Sequence, residues 1–216
     1  MFITFEGPDG SGKSTQVNRL AFTLQQLGYI VYSTREPGGT PIGDQIRKVL
    51  FDLENTSMDP RTEILLFQAS RAQHVSQVIR PRLERGELVL CDRFADSTLA
   101  YQGYGHCLDR AELQSIISFA TGGLQPDLTL LLDLPAEVGL ARREKGGDWN
   151  RLDAFTLAFH CRVRQGYLEM AQAEPQRWVV LNAELSADEL QAQIQRIVLE
   201  RLASRPDLFV RPEPLG

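Results

Sequence analysis

Residues 7–15 read Gly7-Pro8-Asp9-Gly10-Ser11-Gly12-Lys13-Ser14-Thr15 and fit the pattern G-x-x-x-x-G-K-S. The apolar run Met1-Phe2-Ile3-Thr4-Phe5 precedes them and has strand character; a helical pattern follows. Strand, glycine-rich turn and helix form the context of a phosphate-binding P-loop. The residue types suit that chemistry. Glycines let backbone N–H groups crowd round an anion without a Cβ clash. The helix starting near Gly12 adds the positive end of its dipole. Lys13 supplies a mobile cation for β- and γ-phosphates, and Ser14 offers a hydroxyl to Mg²⁺.

Working outward, 216 residues suffice for one domain with a sizeable core. The reading gives a single domain over residues 1–204, a lid at about 142–153 and a loosely held proline-containing tail over 205–216. A net charge of −5 argues against a general nucleic-acid or anionic-membrane surface, so any anion site must be built locally. Cys91, Cys107 and Cys161 are odd in number and widely spaced. They are expected to be reduced, buried thiols of a cytoplasmic protein. The N-terminus enters the first strand without a basic leader, so no signal peptide is expected, and no apolar run is long enough to span a membrane.

Further strands are expected at 29–32, 88–91, 128–132 and 178–181. Helices are expected from Lys13 to Leu27, Pro41 to Phe51, Asp59 to Ile79, Asp109 to Phe119, from Ala136 onward, Leu152 to Ala173, and after the capping box Ser186-x-x-Glu189. Pro81 should kink or divide the third of these. Alternating strands and helices predict the α/β class: a three-layer arrangement with a five-stranded, mostly parallel sheet and helices on both faces. Ligands then gather beyond the carboxyl ends of the strands, where the P-loop, the Arg35 loop and the Asp92 loop converge.

Asp92, after the apolar Leu88-Val89-Leu90-Cys91, suits a Walker-B role toward Mg²⁺, directly or through water. Arg93 beside it has the planar fork that clamps phosphate. As a lone dipeptide the pair would read as a surface ion pair. There is no N-K-x-D guanine motif. His74, His106 and His160 lack metal-ligand spacing and read as core or solvated residues.

Taken with Arg35-Glu36-Pro37-Gly38-Gly39, Phe67-Gln68-Ala69-Ser70-Arg71, the stretch Asp92 to Gln102, and Asn150-Arg151-Leu152-Asp153, the chain resembles the thymidylate kinase family, bacterial type, from about Phe2 to Leu202. The resemblance implies a homodimeric kinase taking ATP, Mg²⁺ and dTMP. Phe67 would stack on thymine, Arg71 would donate to a thymine carbonyl, and Ser97, Thr98 and Gln102 would line the base's polar edge. Tyr101 would lie against the sugar near C2′ and Pro37 near the 5-methyl group. Arg35, Arg47 and Arg93 would surround the acceptor phosphate, with Glu36 in the same loop. Asp9 would face the 3′-hydroxyl or a metal-bound water, assisted by Glu169. Arg142, Arg143, Lys145 and Arg151 would belong to a lid closing over ATP, with Arg143 and Arg151 as the catalytic arginines. Ser70 departs from the aspartate or alanine common in the family, which bears on the geometry around Arg71. Each role has a plainer alternative: Phe67 and Tyr101 as core, Arg47 and the basic run as solvated helix charges. Two other functions stay open: a nucleoside kinase using Glu36 as general base, and a nucleotide-gated interaction protein.

Overall fold

A computed structural model describes residues 1–147 and 149–205. The expected tail from residue 206, and Asp148 of the expected lid, lie outside the described residues. The chain runs β1 (Phe2–Glu6), α1 (Lys13–Gln26), β2 (Val31–Arg35), α2 (Pro41–Phe51) and α3 (Pro60–His74). A π-helical stretch (Val75–Ile79), α4 (Arg80–Glu84), β3 (Leu88–Asp92), α5 (Ala95–Thr98) and a second π-helical stretch (Leu99–Gly105) follow. Then come α6 (Arg110–Thr121), β4 (Leu128–Asp133), α7 (Ala136–Gly146), α8 (Leu157–Ala173), β5 (Trp178–Asn182) and α9 (Ala187–Ala203).

Among the described residues the five strands are all parallel, in the order β2-β3-β1-β4-β5. Alternate strand residues face opposite sides. Ile3, Phe5, Leu88, Leu90, Leu128 and Leu130 pack with Val17, Leu20 and Leu24 of α1 and Ile194 and Val198 of α9. On the other face, Phe2, Val89 and Cys91 meet Val75, Ile79 and Phe94. Beside them, Leu131 and Trp178 meet Tyr101, Phe159, Val163 and Tyr167. Burial of each such side chain contributes about 1.5–3 kcal/mol. Register aligns Phe5 with Asp92, and Arg35 with Asp92, so the strands deliver their last residues to one edge.

The helix around Pro81 is divided, as expected: α3 gives way to a π-helical turn that re-routes the backbone bonds ahead of the proline, with the Arg80 N–H donating to the Val75 carbonyl five residues back, and α4 carries the helix past its expected end at Ile79. Other boundaries differ from expectation. The helix expected from Leu152 starts at Leu157, because the Thr156 side chain caps it by accepting from the Phe159 N–H. Residues 95–105, outside every expected helix, are helical. Leu27 stands 53 % exposed just beyond α1 instead of on its apolar face.

Candidate active site

The P-loop joins β1 to α1. Gly10 has φ +76°, and a Cβ there would lie 2.3 Å from the Gly139 carbonyl oxygen on α7. Conversely, a Cβ on Gly139 would lie 2.3 Å from the Asp9 carbonyl oxygen. Loop and helix therefore pack backbone to backbone. Side chains cap α2, α3, α6, α8 and α9, whereas α1 begins at Gly12 with no side-chain cap and no acidic residue in its first turn. That leaves its positive N-terminus to an anionic ligand. The Lys13 ammonium folds over the loop, donating to the carbonyls of Gly7 at 3.1 Å and Pro8 at 2.8 Å and to Ser11 Oγ at 3.2 Å. Burial, reinforced by Arg93, pushes its pKa down to about 8 against the pull of Asp92 and Asp9. Ser14 donates its hydroxyl hydrogen to Asp92 Oδ2. A hydroxyl beside a carboxylate at the cleft wall is the hard-oxygen pair that Mg²⁺ accepts when phosphates and water complete its shell. Thr15 is exposed at the same helix end.

Arg93 follows β3 with φ +68°, a left-handed conformation that costs a non-glycine residue about 1–2 kcal/mol. Its N–H donates to the Phe5 carbonyl, and the turn aims its guanidinium across the sheet edge. Nη2 donates to Asp9 Oδ1 at 2.7 Å and to the Tyr101 hydroxyl at 3.0 Å. Nη1 donates to Ser97 Oγ at 3.2 Å and the Tyr167 hydroxyl at 3.1 Å. Burial opposes the charge of Asp9, but Arg93 and Lys13 outweigh it and hold the carboxyl well below the usual range. Beneath this group lies Glu6, fully buried, accepting from the Phe94 N–H, Ser97 Oγ and the Tyr167 hydroxyl at 2.7, 2.6 and 2.9 Å. Burial, with Asp96 nearby, raises its pKa to about 7.

Two concavities meet at Asp9, Glu36 and Arg93. One is a cleft of about 1610 Å³ whose walls include Gly12, Lys13, Ser14, Arg35, Arg47 and Arg143. The other is a cavity of about 450 Å³, lined by Pro37, Phe67, Arg71, Ser97, Thr98, Tyr101 and Gln102. Every residue expected around a base and sugar thus lines one cavity. Arg71 is 1 % exposed and donates to Glu36 at 2.7 Å, to Gln68, Thr98 and the Phe94 carbonyl at 2.9 Å. Among the described residues those bonds use four of its five N–H groups and leave one on Nη2. Glu36 also pairs with His74 at 3.0 Å; burial works against its charge, but Arg71 and His74 hold it below the ordinary value. Arg47 donates to the Pro37 carbonyl at 2.9 Å, and burial together with Arg35 lowers its pKa to about 10.

The lid residues divide. Arg143 lines the cleft and is bidentate with the buried Asp153, the closest contact being 2.8 Å. Arg142 bridges the Ala183 and Gly10 carbonyls. Arg151, expected beside Arg143, is instead buried, bonded to Glu63 and to the Leu50 carbonyl, and lines neither concavity. The reason is that Glu63, 1 % exposed, needs a cation, and Arg151 supplies it. Glu169 stands exposed on α8, bonded to Gln165, and is not among the residues lining either concavity. Cys91 is buried as expected, but Cys107 and Cys161 are exposed. Sequence reading passed over Glu6, Tyr167, Glu63 and Phe51; the available signal was a carboxylate ending an otherwise apolar strand.

Residues 5–194 match the family model described as thymidylate kinase. The chain belongs to the thymidylate kinase family. It is 53 % identical to the thymidylate kinase of Roseiflexus castenholzii over 225 residues, covering 98 % of each chain. With that of Deinococcus radiodurans it shares 53 % identity over 93 % of its own length and 97 % of the relative's. A crystal structure of thymidylate kinase from Ehrlichia chaffeensis superposes with a TM-score of 0.75 at 33 % identity, over 92 % of this chain and 98 % of that one. No helix among the described residues is long and apolar enough to cross a membrane.

Proposed function

We propose that this chain transfers the γ-phosphoryl group of ATP to dTMP, giving ADP and dTDP on the route to dTTP. One observation carries the reading: a cleft at the phosphate loop and a cavity walled by Phe67, Arg71, Tyr101 and Gln102 meet at the Asp9–Arg93 pair. ATP phosphates lie on the P-loop, with Lys13 leaving the loop carbonyls to reach them. The dTMP base enters the cavity between Phe67 and the polar edge made by Arg71, Thr98 and Gln102, with Tyr101 beside the sugar. Its phosphate points to the junction, where Arg93, Arg35 and Arg47 receive it.

The attacking group is already a phosphate oxygen, so no general base is required. The barrier is the approach of two polyanions, and catalysis rests on positioning and cation placement. Lys13, Arg93 and Arg143 supply those cations; an arginine on the transferring group is worth roughly 10³–10⁵ in rate in related enzymes. Ser14 and Asp92 are the residues to hold Mg²⁺, which when bound neutralises phosphate charge and aligns the oxygens. The lid arginines close the cleft and exclude water. We assign Arg143, and not Arg151, to the transferred phosphoryl.

The nucleoside-kinase alternative needs Glu36 as base. That carboxylate is committed to Arg71 and His74 and held below its ordinary pKa, which disfavours the role. A cytoplasmic homodimer completes the proposal. Free Cys91, Cys107 and Cys161 suit a reducing compartment, and Leu65 and Phe119, 60 % and 89 % exposed on the adjacent helices α3 and α6, offer apolar surface to a second copy. Light scattering at micromolar concentration checks the dimer. A coupled ADP-release assay with ATP and Mg²⁺ tests the reaction against dTMP, dUMP, thymidine, dCMP and no acceptor. Strong turnover with dTMP alone or with weaker dUMP supports it; turnover with thymidine, or without an acceptor, rejects it.

A further inference from the structure

Glu63 sits on α3 behind the base cavity, 1 % exposed, and each of its carboxylate oxygens has a different task. Oε2 accepts from Arg151 Nη2. Oε1 accepts from Gln102 Nε2 at 2.7 Å. Burial works against its charge, but His106, whose Nε2 lies 3.4 Å from Oε1, and the hydrogen bonds from Arg151 and Gln102 keep the carboxyl below its ordinary range.

An ionised carboxylate only accepts hydrogen bonds, so the group of Gln102 facing it must be the NH₂. The amide has no other choice of orientation, and its carbonyl oxygen is the end left for the cavity that Gln102 lines. Thr98 has the opposite bias. Its Oγ1 accepts from Gln68 Nε2 at 3.0 Å and from Arg71 Nη1 at 2.9 Å, so the hydroxyl hydrogen is left to donate. The polar edge of the cavity is therefore an acceptor at Gln102 beside a donor at Thr98. An imide edge, N–H beside C=O, complements that pair. Cytosine presents an acceptor nitrogen beside an amine and reverses both.

We propose that Glu63 is a positioning residue for base selection: by fixing which end of the Gln102 amide faces the cavity, it makes the site read an imide N–H and reject cytosine. The inference rests on the dTMP kinase reading and deepens it. It predicts an inversion on Glu63→Gln. An amide has one acceptor oxygen, and Arg151, which only donates, claims it. The new NH₂ then faces Gln102, whose carbonyl turns to accept it, and the Gln102 NH₂ swings to the cavity.

The test measures kcat/KM for dTMP and dCMP in the wild type, Glu63→Gln, Gln102→Leu and the double variant Glu63→Gln/Gln102→Glu, with melting curves for each. In Glu63→Gln the dTMP-to-dCMP ratio should fall about 10- to 100-fold, the scale of a buried donor facing a donor. The double variant exchanges amide and carboxylate, returns an acceptor to the cavity and should restore most of the ratio. Gln102→Leu leaves the Glu63–Arg151 pair in place and should lower the ratio even if Glu63→Gln fails to fold. A folded Glu63→Gln that keeps the ratio, or lowers both substrates equally, overturns the proposal, as does an unchanged ratio in Gln102→Leu. A wild type that does not phosphorylate dTMP overturns the reaction itself, a separate failure visible before any variant is made.

Discussion

Arg93 and Asp9 are paired at 2.7 Å across the gap between the end of β3 and the phosphate loop, and the Tyr101 hydroxyl closes the triangle by donating to Asp9 at 2.5 Å. The guanidinium is thereby aimed before any phosphate arrives. Its left-handed backbone is held by the hydrogen bonds that converge on it. Little reorganisation is needed when the acceptor binds, which is what electrostatic preorganisation requires.

Arg93→Ala should therefore lower kcat by about 10³-fold or more while ATP binding stays within a few-fold of wild type. Coupled turnover and titration with a non-hydrolysable ATP analogue separate the two effects. Unchanged turnover would remove Arg93 from the phosphate site.

Glu6 makes stability depend on pH with an unusual sign. Its folded pKa, about 7, is above the ordinary 4.5, so its contribution is fully present below pH 4.5 and is lost as pH rises through 7. The difference is worth roughly 3 kcal/mol. Urea denaturation at pH 5 and pH 8 should show Glu6→Gln gaining on the wild type by about that amount at the higher pH. Parallel pH profiles would mean that burial and the nearby Asp96 do not raise the carboxyl against Arg93 and Ser97 as described.

The lid arginines should separate by type of damage. Arg151→Ala leaves Glu63 buried without a cation, costing about 3–5 kcal/mol and lowering Tm by on the order of 10 °C. Arg143→Lys keeps a cation near Asp153 but loses the fork; it should cut kcat about 10²-fold or more and change Tm little. Calorimetry and turnover on both variants check the division, and a catalytic collapse of Arg151→Ala at full stability would reverse the assignment.

Ser14→Ala should raise the Mg²⁺ concentration for half-maximal activity about 10- to 100-fold, the scale reported when a metal site loses an orienting oxygen. Asp92→Asn should do the same, and chelation should abolish turnover of the wild type. Mg²⁺ titrations that superimpose for wild type and Ser14→Ala would move the metal away from this pair.

Much of this arrangement is legible in the linear chain because its determinants are local. The P-loop glycines, the apolar strands and the capping residues act within a few positions of themselves, so five strands and most helices are readable. Residues 95–105 are not, because Ser97, Thr98, Gly103 and Gly105 are poor helix formers and tertiary packing overrides them. Gly105, for instance, lies where a Cβ would meet the Phe159 ring at 2.5 Å. Arg151 was misread for a related reason. Its motif points to the lid, but its partner Glu63 lies 88 positions away, and only the fold brings the buried carboxylate beneath it. Glu6 is of the same kind: its partners at 94, 97 and 167 come from two stretches of chain far from it in sequence.

The backbone contact between Gly10 and Gly139 has a mechanical consequence. Helix α7 carries Arg142 and Arg143 at one end and rests against the phosphate loop at the other. It acts as a lever whose fulcrum is the loop itself, with no side chain between them to absorb a displacement. A tilt that swings the arginines inward must therefore press on the turn that cradles the phosphates. In such an arrangement a single methyl group added at position 139 would detune grip and closure together, though it touches neither nucleotide.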